Sequence, residues 1–133
     1  MLTANTGTGS NFMRSHSSHD FEVLVANKRM YRGEGFYIGR SGSKPSPLAN
    51  PYTHLPGLTN ARFKVANRKA SIDCYERWVK QEMGVPKVAA EFTAMVKELR
   101  DKKKIILICH CVPETCHGDV LAKMLLEEVT KPV

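Results

Sequence analysis

An uninterrupted apolar run, Ile105 Ile106 Leu107 Ile108, opens directly onto nine residues that hold three of the chain's four cysteines and two of its five histidines. Those nine, Cys109 His110 Cys111 Val112 Pro113 Glu114 Thr115 Cys116 His117, lead at once into an apolar pattern of helical period over 120–129. Such a run fits a central strand covered on both faces. The cluster then occupies a strand-to-helix loop, and in α/β proteins ligands bind at such loops. The juncture is the best lead to what the chain does.

The other elements follow from the same periodicities. Phe21 Glu22 Val23 Leu24 Val25 Ala26 is β-prone and bounded by Asn27 Lys28 Arg29, which predicts a strand. Gly33 and Gly35 mark a turn before a second short strand, Phe36 Tyr37 Ile38, that ends at Gly39. Residues 40–56 carry Ser, Gly and Pro without helical period and read as a long loop, a form that often carries function. Ala70, Cys74, Trp78 and Val79, with Ile72, Tyr75 and Met83 nearby, predict an amphipathic helix over about 68–83, ended by Gly84. Pro86 suits the first turn of a second helix running to about Lys102, with Val88, Phe92, Met95, Val96 and Leu99 as its buried stripe. The Lys102 Lys103 Lys104 run closes that helix, its cations offsetting the macrodipole. Val120, Leu121, Met124, Leu125 and Val129 are the buried stripe of the last helix. These elements predict one small layered α/β domain over 21–133, Rossmann-like, with a short, mostly parallel sheet flanked by helices. Residues 1–20, polar and without apolar periodicity, read as a disordered tail.

At 133 residues the chain can bury a core without disulfides or metal. A net charge of +7 favours polyanionic partners such as nucleic acid, nucleotides or phosphorylated small molecules, and equally describes a solvated basic surface. No stretch approaches the roughly 20 apolar residues of a membrane helix, and the first residues lack a signal core. The expectation is a cytoplasmic protein with reduced thiols, no membrane partner and no cofactor.

Four readings of the cluster stand open. Strand alternation places Cys109 and Cys111 on one face and His110 on the other, which separates His110 from the thiols. Cys116 and His117 open a helix whose free N–H groups attract anions, so Cys116 could be a nucleophilic thiolate assisted by an imidazolium. Cys109, Cys111, Cys116 and His117 could instead bind zinc, although the Cys-x-Cys spacing and the missing second knuckle are atypical. In a phosphate or nucleotide pocket, His117 would donate to the ligand, Gly118 would admit a phosphate closely, and Asp119 would cap the helix or accept from a ribose hydroxyl. In the plainest reading the cysteines are small buried hydrophobes and His117 bonds the backbone. Cys74, on an apolar helix stripe, reads as core.

Outside the cluster, Arg29 and Arg40 each follow a strand and could grip a phosphate bidentately, or form ordinary surface ion pairs. Asn50 before Pro51 could read a base, but Asn-Pro also favours a turn. Ser46 and Pro47 would stiffen the loop beside the pocket. Tyr31, Tyr37 and Tyr52 are candidate stacking rings, or packing.

Read together, Asn27 Lys28 Arg29, Tyr37 Ile38 Gly39 Arg40, Ser46 Pro47 Leu48 Ala49 Asn50 Pro51 and the run from Cys109 to Asp119 resemble domain-of-unknown-function family 4326, common in phages and bacteria. That family shows Asn-x-Arg, Tyr-Ile-Gly-Arg and Ser-Pro-Leu-Gly-Asn-Pro elements and a Cys-x-Cys-x-Pro-x-x-Cys-His-Gly-Asp signature. The chain also looks like a distant relative of family 488, whose Cys-His element likewise follows an apolar strand. Two departures stand out: Ala49 replaces a usual Gly, and His110 replaces a common aromatic. The resemblance implies an α/β fold and a shared pocket, without an established reaction. The resulting expectation is a basic cleft built from Arg29, Arg40, Ser46, Asn50, Cys116, His117, Gly118 and Asp119 that binds a nucleotide-like or phosphorylated ligand. Were it a hydrolase or transferase, Cys116, His117 and Asp119 would be its catalytic residues. The rivals are a non-enzymatic module that grips nucleic acid or a host protein, and a small zinc-binding protein.

Overall fold

A computed structural model describes residues 13–41, 44–53, 63–112 and 114–132. In chain order its elements are β1 (Met13–Ser18), β2 (Phe21–Asn27), β3 (Phe36–Tyr37), β4 (Tyr52–Thr53), β5 (Phe63–Lys64), α1 (Arg68–Glu82), α2 (Pro86–Lys102), β6 (Lys104–Cys109) and α3 (His117–Val129). The main sheet runs β1-β2-β6-β3, with β6 parallel to both its neighbours and β1 antiparallel to β2. β4 and β5 form a separate parallel pair.

The chain is thus a small α/β domain whose sheet is mixed, and β1 is the reason the parallel expectation does not hold throughout. β1 reaches β2 through a two-residue reversal at His19 and Asp20, too short for anything but antiparallel pairing. His19 takes φ 57 to make it. Part of the tail expected over 1–20 is therefore sheet: Met13 to Ser18 pair residue by residue with Ala26 to Phe21. Polar alternation on a two-sided edge strand carries little apolar signal. Residues 1–12 lie outside those described.

β6 shows the second correction. Ile105, Leu107 and Cys109 are buried, but Ile106 and Ile108 are only half-buried. α2 and α3 pack on β2 and β6, covering the face that carries Val23, Val25, Ile105 and Leu107. The opposite face, with Leu24, Ile106 and Ile108, has no helix over it among the described residues. A run of Ile and Leu is compatible with either arrangement, because β-branched residues suit a pleated surface whether one or both faces are covered.

The helix ends follow their local chemistry. Asn67 caps α1, its Oδ1 accepting the Ala70 N–H at 2.8 Å. α2 begins on Pro86, where a missing N–H costs nothing. It ends on Lys103, which takes the left-handed φ 65 and donates its N–H to Leu99 O at 2.8 Å. The next residue is already in β6, so the lysine run serves as both helix stop and strand start. Among the described residues no helix is long and apolar enough to cross a membrane.

Candidate functional site

The carboxyl end of β6 sets the site. Alternation carries Cys109 inward and turns His110 out, where its Nε2 lies 2.9 Å from Tyr37 Oη and 3.1 Å from Ser41 Oγ. Cys111 turns inward again. Asn27 pins the following loop by donating from Nδ2 to Val112 O at 2.7 Å, while its Oδ1 accepts the Arg29 N–H at 2.8 Å. The Glu114 N–H donates to Cys111 O at 2.7 Å and folds the loop back toward α3. Pro113, assigned to this turn from the sequence, lies outside the described residues.

α3 then starts with an internal cap. The Cys116 Sγ accepts the Gly118 N–H at 3.3 Å, and the Asp119 carboxylate accepts the Cys116 N–H at 3.0 Å. The Cys116 and Cys109 sulfurs are 3.4 Å apart in the core. The Cys111 thiol is within hydrogen-bonding reach of both. Cys111 lines the same cleft as Cys116.

The facing wall is the loop before α1, held there by α1 itself. Tyr75 donates to Leu48 O at 2.6 Å, Ser71 Oγ donates to Tyr52 O at 3.1 Å, and Asn50 Nδ2 donates to Ser71 Oγ at 2.9 Å. Arg40 Nη1 donates to Asn50 O, and Arg68, the first residue of α1, donates to Thr115 O at 3.3 Å. Between the walls lies a cleft of about 320 Å³ whose lining includes Arg40, Arg68, Tyr52, Cys111, Cys116 and His117.

Burial sets the charge states. Arg40 is half-buried, and burial pulls its guanidinium below the ordinary value without threatening its charge. Burial also holds His117 below the usual imidazole range, so it is neutral at pH 7. Its Nε2 donates to Ile38 O at 2.6 Å, and its ring meets Tyr75 edge-on at 5.0 Å. His110 is lowered by burial and then by Lys28, Arg29 and Arg40 nearby. Hydrogen bonds from Cys109 and Cys116 pull the Cys111 thiol well down, with His117 and Arg68 acting the same way, whereas Cys116 and Cys109 are pushed up.

Of the residues expected to form the cleft, Arg40, Asn50, Cys116 and His117 do line it. Arg29 is exposed on the turn after β2 and does not. Ser46 borders a neighbouring hollow, where its Oγ accepts the Leu48 N–H at 3.0 Å. Gly118 faces the sheet instead: a Cβ there would come within 2.8 Å of Val25 Cγ1 and 3.1 Å of Ile38 Cδ1. Its small size serves helix-on-strand packing and not the approach of a phosphate. Asp119 points toward β1, where Arg14 Nε donates to it at 2.9 Å and His16 Nε2 lies at 2.8 Å. Asn50 spends both ends of its amide on the loop, its Oδ1 accepting from the Tyr52 N–H at 2.9 Å.

Sequence reasoning missed Arg68 as a site residue, and treated Cys111 only as a zinc ligand or a buried hydrophobe. Arg68 had no local signal, because only the tertiary docking of α1 against the 111–116 loop brings it there. Among the described residues no grouping of three or more His, Cys, Asp or Glu is arranged to hold a metal ion. The 3.4 Å between the Cys109 and Cys116 sulfurs is a thiol hydrogen bond. It is shorter than the ~3.8 Å that two thiolates keep on a tetrahedral zinc with bonds of about 2.3 Å.

Neither a curated protein nor a solved structure matches the chain. One family model, described as a domain of unknown function (DUF4326), matches residues 24–127, from within β2 to near the end of α3, and so takes in the whole described cleft. The chain belongs to the DUF4326 family.

Proposed function

We propose that the cleft binds a phosphorylated or nucleotide-like small molecule, with Arg40 and Arg68 on its phosphate. The observation that carries this reading is that two arginines from separate elements reach one hollow beside the carboxyl ends of β3 and β6. In Rossmann-like sheets ligands sit at that end of the strands. A volume of about 320 Å³ falls at the small end of ligand pockets. Tyr52, stacked on Phe63 with ring centroids 5.1 Å apart, supplies an aromatic surface at the rim for a base or sugar.

Hydrolysis or transfer at a phosphate or glycosidic bond is the reaction class such a pocket serves. His117 and Asp119 are committed to Ile38 and to Arg14 and His16, so the acid or base falls to His110, the neutral imidazole on the rim. A second reading, a nucleic-acid-binding module, is favoured by exposed Lys28 and Arg29 beside the same edge.

Thermal shift against inorganic phosphate, ribose 5-phosphate, ADP and ADP-ribose separates these. A ligand at a hundred times its Kd stabilises the chain by about 2.7 kcal/mol. Arg68→Ala should abolish the shift while changing the unliganded melting temperature little, since its bond to Thr115 O is long and exposed. No shift with any compound refutes the small-molecule reading. Affinity for an oligonucleotide that falls steeply with salt would support the second.

A further inference from the structure

The loop of residues 46–51 has a hollow on either side of it, and the cleft is one of the two. Tyr75 ties this loop to the middle of α1 by its bond to Leu48 O at 2.6 Å. Three further bonds fix its shape: Ser46 N–H to Gly39 O at 3.0 Å, Leu48 N–H to Ser46 Oγ at 3.0 Å, and Ala49 N–H to Ser46 O at 3.1 Å. Toward the start of α1 the cleft is lined by Ser71 and Ile72, and toward its end a second hollow of about 390 Å³ is lined by Trp78 and Glu82. Ile72 and Trp78 are six residues apart, about 9 Å along the helix axis. Arg40 and Asn50 line both hollows, and Arg40 stands at the partition, where its Nη1 donates to Asn50 O.

The two hollows repeat one design. Each presents a partly exposed aromatic ring backed by another ring: Tyr52 stacked on Phe63 at 5.1 Å in the cleft, and Trp78 against Tyr75 at 5.7 Å in the second hollow. A ring already held by its neighbour can stack on a base without first losing freedom of its own. Pro47, Pro51 and Val88 complete the apolar lining around Trp78, while Glu82 and Lys87 bring one charge of each sign. A phosphate there would face the Glu82 carboxylate, so the second hollow suits an uncharged ring and its hydroxyls. Arg40 lies between the two aromatic ends, half-buried and therefore less screened than a surface cation.

We propose that the second hollow is the subsite for the far end of the ligand, and that the ligand is a dinucleotide, two nucleosides joined by a pyrophosphate. One base stacks at Tyr52, the pyrophosphate lies on Arg40 with Arg68 on the cleft side, and the other base stacks at Trp78. Glu82 accepts from a base amine or a ribose hydroxyl, and Lys87 donates to a ring nitrogen or carbonyl. The inference rests on the phosphate reading of the cleft and adds to it the class of molecule bound.

The test compares ADP with diadenosine pyrophosphate on the full chain, by calorimetric titration and by tryptophan emission. Trp78 is the chain's one tryptophan, so its emission reports the second hollow. Diadenosine pyrophosphate should quench that emission and bind roughly tenfold tighter than ADP, the difference coming from the second stacked base. Trp78→Leu should bring the Kd of the dinucleotide to that of ADP, whereas Arg68→Ala should weaken both compounds. Lys87 is exposed, so Lys87→Ala keeps the fold and should erode the same advantage. ADP binding that depends on Arg68, with no gain for the dinucleotide or no change in Trp78 emission at saturation, would overturn the second subsite and leave the cleft reading standing. Binding of neither compound would overturn both.

Discussion

Replacing Asp119 by Ala should destabilise the fold whether or not a ligand is bound, because this carboxylate both caps α3 and ties it to β1. One oxygen accepts the Cys116 N–H at 3.0 Å and so closes the N-terminal cap of α3. The same carboxylate receives Arg14 Nε at 2.9 Å and Nη2 at 3.0 Å, a bidentate grip, with His16 Nε2 at 2.8 Å. Losing a cap interaction costs about 1 kcal/mol. A two-pronged pair with one side chain 31 % and the other 17 % exposed lies between surface and buried cases. After allowance for solvent screening it adds about 1 kcal/mol more. The sum, about 2 kcal/mol, corresponds to a fall in Tm of roughly 6–10 °C for a domain of this size. Urea denaturation of Asp119→Ala, Arg14→Ala and the double variant gives the coupling directly, expected near 1 kcal/mol. The effect has a pH signature. Burial pushes the Asp119 carboxyl up, but the bonds from His16, the Cys116 backbone and Arg14 together outweigh it and hold the group below its usual value. Its folded pKa is depressed, so the stabilisation is present above about pH 4 and fades as the pH falls through the folded value. Stability of Asp119→Ala within 0.5 kcal/mol of the parent, or no coupling to Arg14, would refute both the network and the attachment of β1 to α3.

Gly118→Ala should cost about 1–3 kcal/mol in denaturant midpoint, since its Cβ would press on Val25 Cγ1 at 2.8 Å in a central strand that cannot swing away. Were Gly118 there to admit a ligand, the same change would leave stability level or raise it. Below about pH 6.5 the unfolded chain takes up a proton that buried His117 refuses, so stability should decline from pH 7 toward pH 5. His117→Gln should flatten that decline, read by chemical denaturation at each pH. Ser71→Ala removes the partner of the buried Asn50 amide and the donor to Tyr52 O, an expected loss of about 1–3 kcal/mol by the same measurement.

The elements legible in the sequence were those whose apolar period and end signals agree. α1 and α2 fall where their stripes, Gly84 and Pro86 place them, and β2 and β6 follow their β-branched runs. β1 was illegible because Met13 Arg14 Ser15 His16 Ser17 Ser18 alternates between polar residues on both faces. What holds it is a partner strand and the Arg14 and His16 contacts to Asp119, more than a hundred positions away. β4 and β5 are two residues each, too short to carry a period-two signal.

The site divides along the same line. Alternation alone separated His110 from the thiols correctly, since the direction of a side chain on a strand is a local property. Which face of α3 each opening residue presents was not local. Gly118 and Asp119 turn to the sheet and to β1, because the N-terminal turn of α3 packs on Val25 and receives the edge strand. His117 lines the cleft with its Nε2 bonded to Ile38 O, and Cys116 lines it with a thiol partner. A helix N-terminus read from sequence looks like an open anion site, but here its first N–H groups are answered by Cys116 Sγ, Cys116 O and the Asp119 carboxylate. The cationic side chains on the cleft wall are Arg40 and Arg68. Neutralising those two side chains should remove anion affinity even with the α3 cap intact, whereas weakening the cap through Asp119→Asn should lower stability and leave that affinity unchanged.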